Sequence, residues 1–133
     1  MMDLRFEVDE LYDRGRDIHD HFGGQQQGGI STPRDAPYIF LFTGEGGEQY
    51  GYRDGWNEDH SVFLYTGEGQ TGDMAFVRGN KAIRDHLANG KDLLLFENLG
   101  SGTRNLFLGI FACASWEERT GPDKNNIIRK VIV

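Results

Sequence analysis

Five short hydrophobic runs, separated by turn residues, most constrain what this chain can fold into. The runs are PYIFLF, SVFLY, DLLLFENL, NLFLGIFACASW and IIRKVIV. They are rich in aromatic and branched side chains, and glycine, aspartate or asparagine lies between them, which is typical of β-strands joined by turns. The regular strand and helix alternation that builds a parallel sheet is missing. The pattern therefore predicts a small α+β domain with a mixed or antiparallel sheet that is curled and barrel-like.

Two short helices are predicted beside these strands. From Val8 to Phe22 the apolar residues fall near a helical period, and two glycines follow as a stop. The segment GNKAIRDHLANG, between the second and third runs, has Asn80 as its predicted cap and a glycine at its end. The sequence GGQQQGG cannot pack a core, so it predicts a loop between the first helix and the first long strand.

The length, the hydropathy and the charge of the chain limit its number of domains, its location and its partners. The 133 residues suit one domain. Neither a run of about eighteen apolar residues nor the order of a signal peptide is present, so we expect a cytoplasmic location. The net charge of -7 is unlike that of most nucleic-acid-binding domains. However, residues 1–60 carry 13 acidic and 5 basic side chains (-8), whereas the remainder carries 8 acidic and 9 basic (+1).

One strand exit is written twice, as IFLFTGEGG at 39–47 and VFLYTGEGQ at 62–70. Two phosphate-binding loops are one interpretation, but neither copy has the GxxxxGK[ST] pattern. Glu45 and Glu68 would also place a carboxylate where a phosphate should lie. The first copy is interpreted as a strand exit only. The second copy lies among aromatic rings and carboxylates, which suit a flat ligand that bears an amino group.

The order of these segments resembles the SRA (YDG) domain, which reads methylated cytosine in DNA. The segments that carry the resemblance are GYRDGW, FLYTGEGQTGD, GNKAI, LFLGIFACASW and NIIRKVIV. The resemblance implies one domain over 1–133 with a curled sheet of the PUA-like kind. The N-terminal helix and glycine and glutamine loop (1–36) would lie outside a family core of about 38–133. Bacterial domains of this kind are often fused to an HNH nuclease, so a nuclease domain is expected beyond residue 133, and a homodimer is compatible with the resemblance.

The resemblance also implies a base-binding site. A modified cytosine, either 5-methylcytosine or 5-hydroxymethylcytosine, would be flipped from the duplex and stacked between aromatic rings. The base-binding residues implied are Tyr52, Asp54, Trp56, Asp59, Tyr65, Thr66 and Gly67. Tyr65 and Tyr52 would be the stacking faces, and Asp54 would accept a hydrogen bond from the cytosine N4 amino group. Asp59 is the alternative to Asp54, and Trp56 is the alternative to Tyr52.

Contacts to the DNA backbone or groove are predicted for glutamine and basic side chains. These residues are Gln25, Gln26, Gln27, Arg53, Arg78, Lys81 and Arg84. The alternatives are a flexible connector for the glutamines and a solvated helix face for the cations.

No catalytic, metal or cofactor site is predicted, because the histidines and the single cysteine, Cys113, lack partners at suitable spacing. Two other functions stay open at this point. One is a PUA-like domain that binds RNA or a small ligand. The other is a small hydrolase that uses Asp54, Asp59 and Asp73 around a divalent cation.

Overall fold

The computed structural model describes residues 6–24, 29–44, 54–67, 73–100, 104–122 and 128–132. The strands are β1 (Leu11–Tyr12), β2 (Ile30–Ser31), β3 (Tyr38–Thr43), β4 (Gly55–Trp56), β5 (Phe63–Leu64), β6 (Asp92–Asn98), β7 (Asn105–Phe111), β8 (Glu118–Pro122) and β9 (Ile128–Ile132). The helical segments are a π-helix (Arg14–His19), which continues directly into α1 (Asp20–Phe22), and α2 (Arg78–Arg84).

A five-stranded sheet with the order β1-β7-β6-β3-β2 forms the centre of the molecule. β3 and β6 are parallel, with Phe40 opposite Leu94, and the other neighbouring strands are antiparallel. β4 pairs with β5, and β8 with β9, in two separate two-stranded ribbons. The prediction of an α+β fold with a mixed sheet is confirmed. The barrel is not supported, because the two-residue strands β1 and β2 lie at opposite edges of the sheet and the described strands do not close.

The core lies on both faces of the sheet, because successive side chains of a strand point to opposite faces. On one face a mostly aromatic cluster packs under the π-helix; its buried members are Phe6, Ile18, Tyr38, Phe40, Phe42, Leu94, Phe96 and Phe107. On the other face an aliphatic cluster packs against α2 and β5; its buried members are Ile30, Ile39, Leu41, Leu93 and Leu95. Two-sided burial explains why β3 and β6 read as continuous hydrophobic runs.

The first helix is shorter than its hydrophobic period predicts. Helical backbone begins at Arg14, where the Asp13 side chain accepts a hydrogen bond from Arg16 N and caps the segment. Leu11 instead lies in β1 and pairs with β7 at the sheet edge. Val8 and Leu11 are 57% and 47% exposed, so they are not part of a buried helix face.

The second helix begins three residues earlier than predicted, at Arg78, with Val77 and not Asn80 as its cap. Asn80 is therefore inside the helix. Its buried side chain donates from Nδ2 to the Ala75 carbonyl at 3.0 Å, which holds the preceding segment against the helix.

The chain beyond β7 is anchored by a buried histidine. His86 lies next to the Lys91 carbonyl through Nδ1 (2.7 Å) and accepts from Cys113 N through Nε2 (2.9 Å). Cys113 is half-buried beyond the end of β7 rather than inside a strand, and burial raises the pKa of its thiol. Among the helices that the structure describes, none is long and apolar enough to cross a membrane.

Candidate functional site at the repeated turns

The threonines that begin the two TGEG sequences lie close together. β3 ends at Thr43, and Thr66 follows β5, so each copy brings the same threonine to the end of its strand. Asp54 joins them. Its Oδ2 accepts from Thr43 Oγ1 at 2.8 Å, and its Oδ1 accepts from Thr66 N at 2.7 Å. We call Thr43, Asp54, Tyr65, Thr66 and Gly67 the paired-turn site; the first copy contributes to it and is more than a strand exit.

Asp54 is a buried hydrogen-bond acceptor. Its side chain is 4% exposed. Burial raises the pKa of the Asp54 carboxyl group, while hydrogen bonds from Thr66 and Thr43 act in the opposite direction by stabilising the carboxylate. Each carboxylate oxygen can accept more than one hydrogen bond. The Asp54 carboxylate therefore keeps capacity to accept from an amino group after both threonines are bound.

Tyr65 is fixed at both ends of its side chain. The ring packs against the aliphatic core cluster. The hydroxyl lies 2.9 Å from the Gly29 carbonyl and 3.0 Å from the Phe42 carbonyl, so one donor serves two acceptors. A Cβ atom on Gly29 would lie 3.0 Å from the Tyr65 hydroxyl, which explains why glycine occupies position 29. Tyr65 thus links the second turn to β3, the strand that leads into the first turn.

The second turn also packs against the start of α2. A Cβ atom on Gly67 would lie 2.7 Å from Asn80 Oδ1. Since the Asn80 amide is held by Ala75, this side chain has little freedom to move away. The Gly-Asn pair at 79–80, which belonged to the sequence resemblance, therefore acts here as the support of the second turn.

Arg14 and His19 are neighbours of the site that the sequence did not reveal. The Arg14 guanidinium lies over the Phe42 ring, 3.9 Å from its centroid, and its Nε donates to His19 Nε2 at 2.8 Å. Burial lowers the pKa of Arg14, and the nearby Tyr65 raises it. These contacts join residues far apart in the chain, and Arg14 lies in the most acidic part of the sequence, so no local pattern signals them.

The two alternative base-binding residues lie in the β4–β5 ribbon and outside the paired-turn site. Asp59 is exposed in the turn of the ribbon, where hydrogen bonds from the Ser61 side chain and backbone lower its pKa. Trp56 is 37% exposed and stacks on His60 with ring centroids 5.2 Å apart. The Trp56 ring also packs edge to face with the Phe63 ring, with ring centroids 5.3 Å apart. The structure thus brings Asp54, and not Asp59, to Thr66.

The residues predicted to contact the DNA backbone or groove differ in their exposure and in their partners. Arg78 and Lys81 are exposed on α2. Arg84 makes a two-pronged ion pair with Asp85 at 2.9 and 3.1 Å and lies over the Phe76 ring, so its charge is largely offset. Predicted contacts outside the described residues are Gln25, Gln26, Gln27, Tyr52 and Arg53.

A cavity of about 230 Å³ adjoins the paired-turn site. It lies between α2, the β4–β5 ribbon and the chain after β7, and its walls are mostly apolar. Tyr65 and Gly67 line it, whereas Asp54 does not. One water molecule needs roughly 10–15 Å³, so the space admits a larger molecule. Within the part of the chain that the structure describes, no three histidine, cysteine or acidic side chains are grouped to hold a metal ion.

Comparison with known proteins identifies relatives of this fold. The family model for the ScoMcrA-like SRA domain matches residues 8–133. The structure of the sulfur-binding and SRA domains of ScoMcrA, complexed with phosphorothioated DNA, is 24% identical with a TM-score of 0.74. The match covers 97% of this chain and 38% of that chain. The phosphorothioation-dependent Type IV restriction endonuclease ScoMcrA is 25% identical with a TM-score of 0.74, and the match covers 97% of this chain and 27% of that chain.

A more distant structure is the SRA domain of SUVH5 in complex with fully methylated CG DNA. It is 17% identical with a TM-score of 0.67, and the match covers 96% of this chain and 85% of that chain. A comparison with curated proteins gives no significant match. This chain spans between a quarter and two fifths of the ScoMcrA structures. Because the family model matches nearly all of its residues, this chain belongs to the ScoMcrA-like SRA domain family.

Proposed function

We propose that this chain is a DNA-binding module that recognises modified cytosine in duplex DNA through the paired-turn site. The observation that carries the proposal is the buried Asp54 carboxylate, which accepts hydrogen bonds from Thr43 and from Thr66, the sequence neighbour of Tyr65. A flipped cytosine presents a flat face to an aromatic ring and an N4 amino donor to an acceptor. Tyr65 and Asp54 supply these two partners within one rigid unit.

The energies of such a site are balanced. Removing a base from the stack costs a few kcal/mol, and stacking it on an aromatic side chain returns about 1–3 kcal/mol. Because stacking alone only offsets the cost, the hydrogen bond to Asp54 decides whether the flipped state is populated. Because Asp54 is only 4% exposed, a flipped base reaches its carboxylate only if the residues around it move.

The related proteins differ in the DNA modification with which they are associated. ScoMcrA is a phosphorothioation-dependent endonuclease, and SUVH5 is seen with methylated CG DNA. A phosphorothioate lies on the backbone and has no amino group for a buried carboxylate. The Asp54 and Tyr65 arrangement therefore favours a mark on a cytosine base over a mark on the backbone, and we propose 5-methylcytosine or 5-hydroxymethylcytosine as that mark.

Under this proposal the chain is the recognition module of a larger enzyme. It targets a modification-dependent restriction endonuclease in the cytoplasm, and the cutting is done by an HNH nuclease domain beyond residue 133. The module itself performs no catalysis. Arg78 and Lys81 supply phosphate contacts, which hold the duplex while the base is tested.

Equilibrium titrations with matched duplexes test this function. One duplex sequence is prepared unmodified, with 5-methylcytosine, with 5-hydroxymethylcytosine and with a phosphorothioate, and each is titrated by fluorescence anisotropy at several salt concentrations. We expect tighter binding of the modified-cytosine duplexes and affinity that falls as salt rises, because phosphates are contacted. Equal affinity for all four duplexes at every salt concentration would remove the proposal.

A second function, binding of a small ligand, is favoured by the cavity of about 230 Å³ next to Tyr65. Native mass spectrometry of the purified protein distinguishes it. A small molecule retained in stoichiometric amount, together with no preference among the duplexes, would support the second function over the first.

A further inference from the structure

The two ring nitrogens of His19 have partners that define its protonation state. Nδ1 lies 2.8 Å from the Gly23 carbonyl, and Nε2 lies 2.8 Å from Arg14 Nε. A carbonyl oxygen can only accept a hydrogen bond, so Nδ1 carries the proton. An arginine Nε can only donate, so Nε2 must be bare. His19 is therefore neutral and in one tautomer wherever both contacts exist.

The Arg14 guanidinium that His19 holds is close enough to Tyr65 of the paired-turn site for the two groups to interact electrostatically. It covers the Phe42 ring at 3.9 Å, and Phe42 directly precedes Thr43. The Phe42 carbonyl in turn receives the Tyr65 hydroxyl. A cation near this site favours the approach of the DNA polyanion, and it lies in a segment that is otherwise acidic.

We propose that His19 is a positioning residue that keeps Arg14 against Phe42 for DNA binding, and that protonation of His19 releases Arg14 and weakens binding of modified DNA. The part that concerns DNA rests on the proposed function. Protonated His19 would point an N–H at the Arg14 N–H, so two donors and two positive charges would face each other. The hydrogen bond between Arg14 and His19 cannot survive that change.

The surroundings of His19 set the pH range of the effect. Its side chain is 6% exposed, and burial is the main reason that its pKa lies below the usual value of 6.5. The Gly23 carbonyl raises the pKa, Arg14 lowers it, and Asp20 raises it. β3 contributes the uncharged Phe42 ring, 6.4 Å from the imidazole. The neutral form therefore prevails at pH 7.5, and the change occurs as the pH falls below 6.5.

The positioning of Arg14 is tested first without DNA. The ¹H and ¹⁵N resonance of Arg14 Nε–H, assigned by its loss in Arg14→Lys, is followed from pH 8 to pH 5. We expect it to shift as His19 titrates. In His19→Gln the amide oxygen accepts from Arg14 and does not titrate, so the resonance should stay constant. A resonance that does not move with pH in the parent protein overturns the proposal, and this arm requires no variant at His19 to fold.

The consequence for binding is tested by titrating the 5-methylcytosine duplex at pH 7.5 and pH 5.5. Any other effect of acidification on the protein or the DNA is shared by the parent and His19→Gln, so it cancels in the comparison. Loss of a hydrogen bond to a charged group predicts that acidification weakens the parent about ten-fold more than the variant. An equal pH response of the two proteins overturns the proposal. If neither protein prefers the modified duplex at pH 7.5, the proposed function is overturned instead. The pH dependence of the Arg14 resonance still shows whether His19 positions Arg14.

Discussion

At the scale of single residues, Asp54 meets two opposing demands. Burial in the protein penalises its charge, and hydrogen bonds from the Thr66 backbone, the Thr43 side chain and the Thr66 side chain stabilise that charge. The Thr43 hydroxyl donates to one carboxylate oxygen, and the Thr66 N–H donates to the other. A reason for writing the Thr-Gly turn twice follows from this geometry, since each copy brings a threonine to one oxygen of the same carboxylate.

Replacement of Asp54 by alanine should destabilise the fold. The Thr43 hydroxyl and the Thr66 N–H would be left without their acceptor, and we expect a loss of about 1–3 kcal/mol in the free energy of unfolding. The matched control is Asp59→Ala, because Asp59 is exposed in the ribbon turn, where water can replace its hydrogen bonds, and we expect its loss to destabilise the fold less than the loss of the buried Asp54. Urea unfolding of the parent and both variants measures the difference. Equal stability of the two variants would contradict the bridging role of Asp54.

At the scale of secondary-structure elements, the second turn depends on α2. Gly67 contacts the buried Asn80 side chain so closely that no Cβ atom fits between them. This contact fixes the turn, and with it Tyr65 and Thr66, relative to a helix that also carries the exposed cations Arg78 and Lys81. A change at Gly67 should therefore disturb the site without touching any of its polar atoms.

Gly67→Ala is the test of this packing. Its Cβ atom would lie 2.7 Å from Asn80 Oδ1, and we expect a loss of about 1–3 kcal/mol, as for other overpacked positions. Gly55→Ala in the neighbouring strand is the control, because a Cβ atom there meets nothing within 4 Å. Thermal unfolding compares the two. A Gly67→Ala protein as stable as Gly55→Ala would show that the turn does not need its contact with α2.

The elements that the sequence predicted well are those whose own residues decide their structure. β3 and β6 are hydrophobic on both faces, so their composition alone marks them. β1, β2 and β4 have two residues each and exist only because a partner strand lies beside them, which no local pattern reveals. Asn80 was predicted as a cap because of its residue type, but its side chain bonds to Ala75 and packs against Gly67.

At the scale of the whole molecule, resemblance predicted more than composition did. The net charge of -7 argued against a DNA partner, whereas the order of five short segments predicted the SRA family, which the family model confirms. The candidate site was predicted in part. The motif pointed to Asp54, Tyr65 and Thr66, but Thr43 and Arg14 join the site only through long-range contacts.

The most direct test of the account uses two bases that differ only at the edge that Asp54 is proposed to read. 5-Methylcytosine and thymine both carry the 5-methyl group, but thymine has a carbonyl in place of the N4 amino group. The parent protein, Asp54→Asn and the control Asp59→Asn are titrated with duplexes that hold 5-methylcytosine or thymine opposite the same guanine. A mismatched base is easier to flip, so a preference for 5-methylcytosine cannot arise from the cost of flipping.

We predict that the parent and Asp59→Asn bind the 5-methylcytosine duplex roughly 5- to 100-fold more tightly than the thymine duplex, the range expected for a good base contact. We predict that Asp54→Asn remains folded, because its amide can still accept from Thr66 and donate to Thr43, and that it loses this preference. A folded Asp54→Asn protein that keeps the parent ratio would contradict the claim that the paired-turn site reads the base.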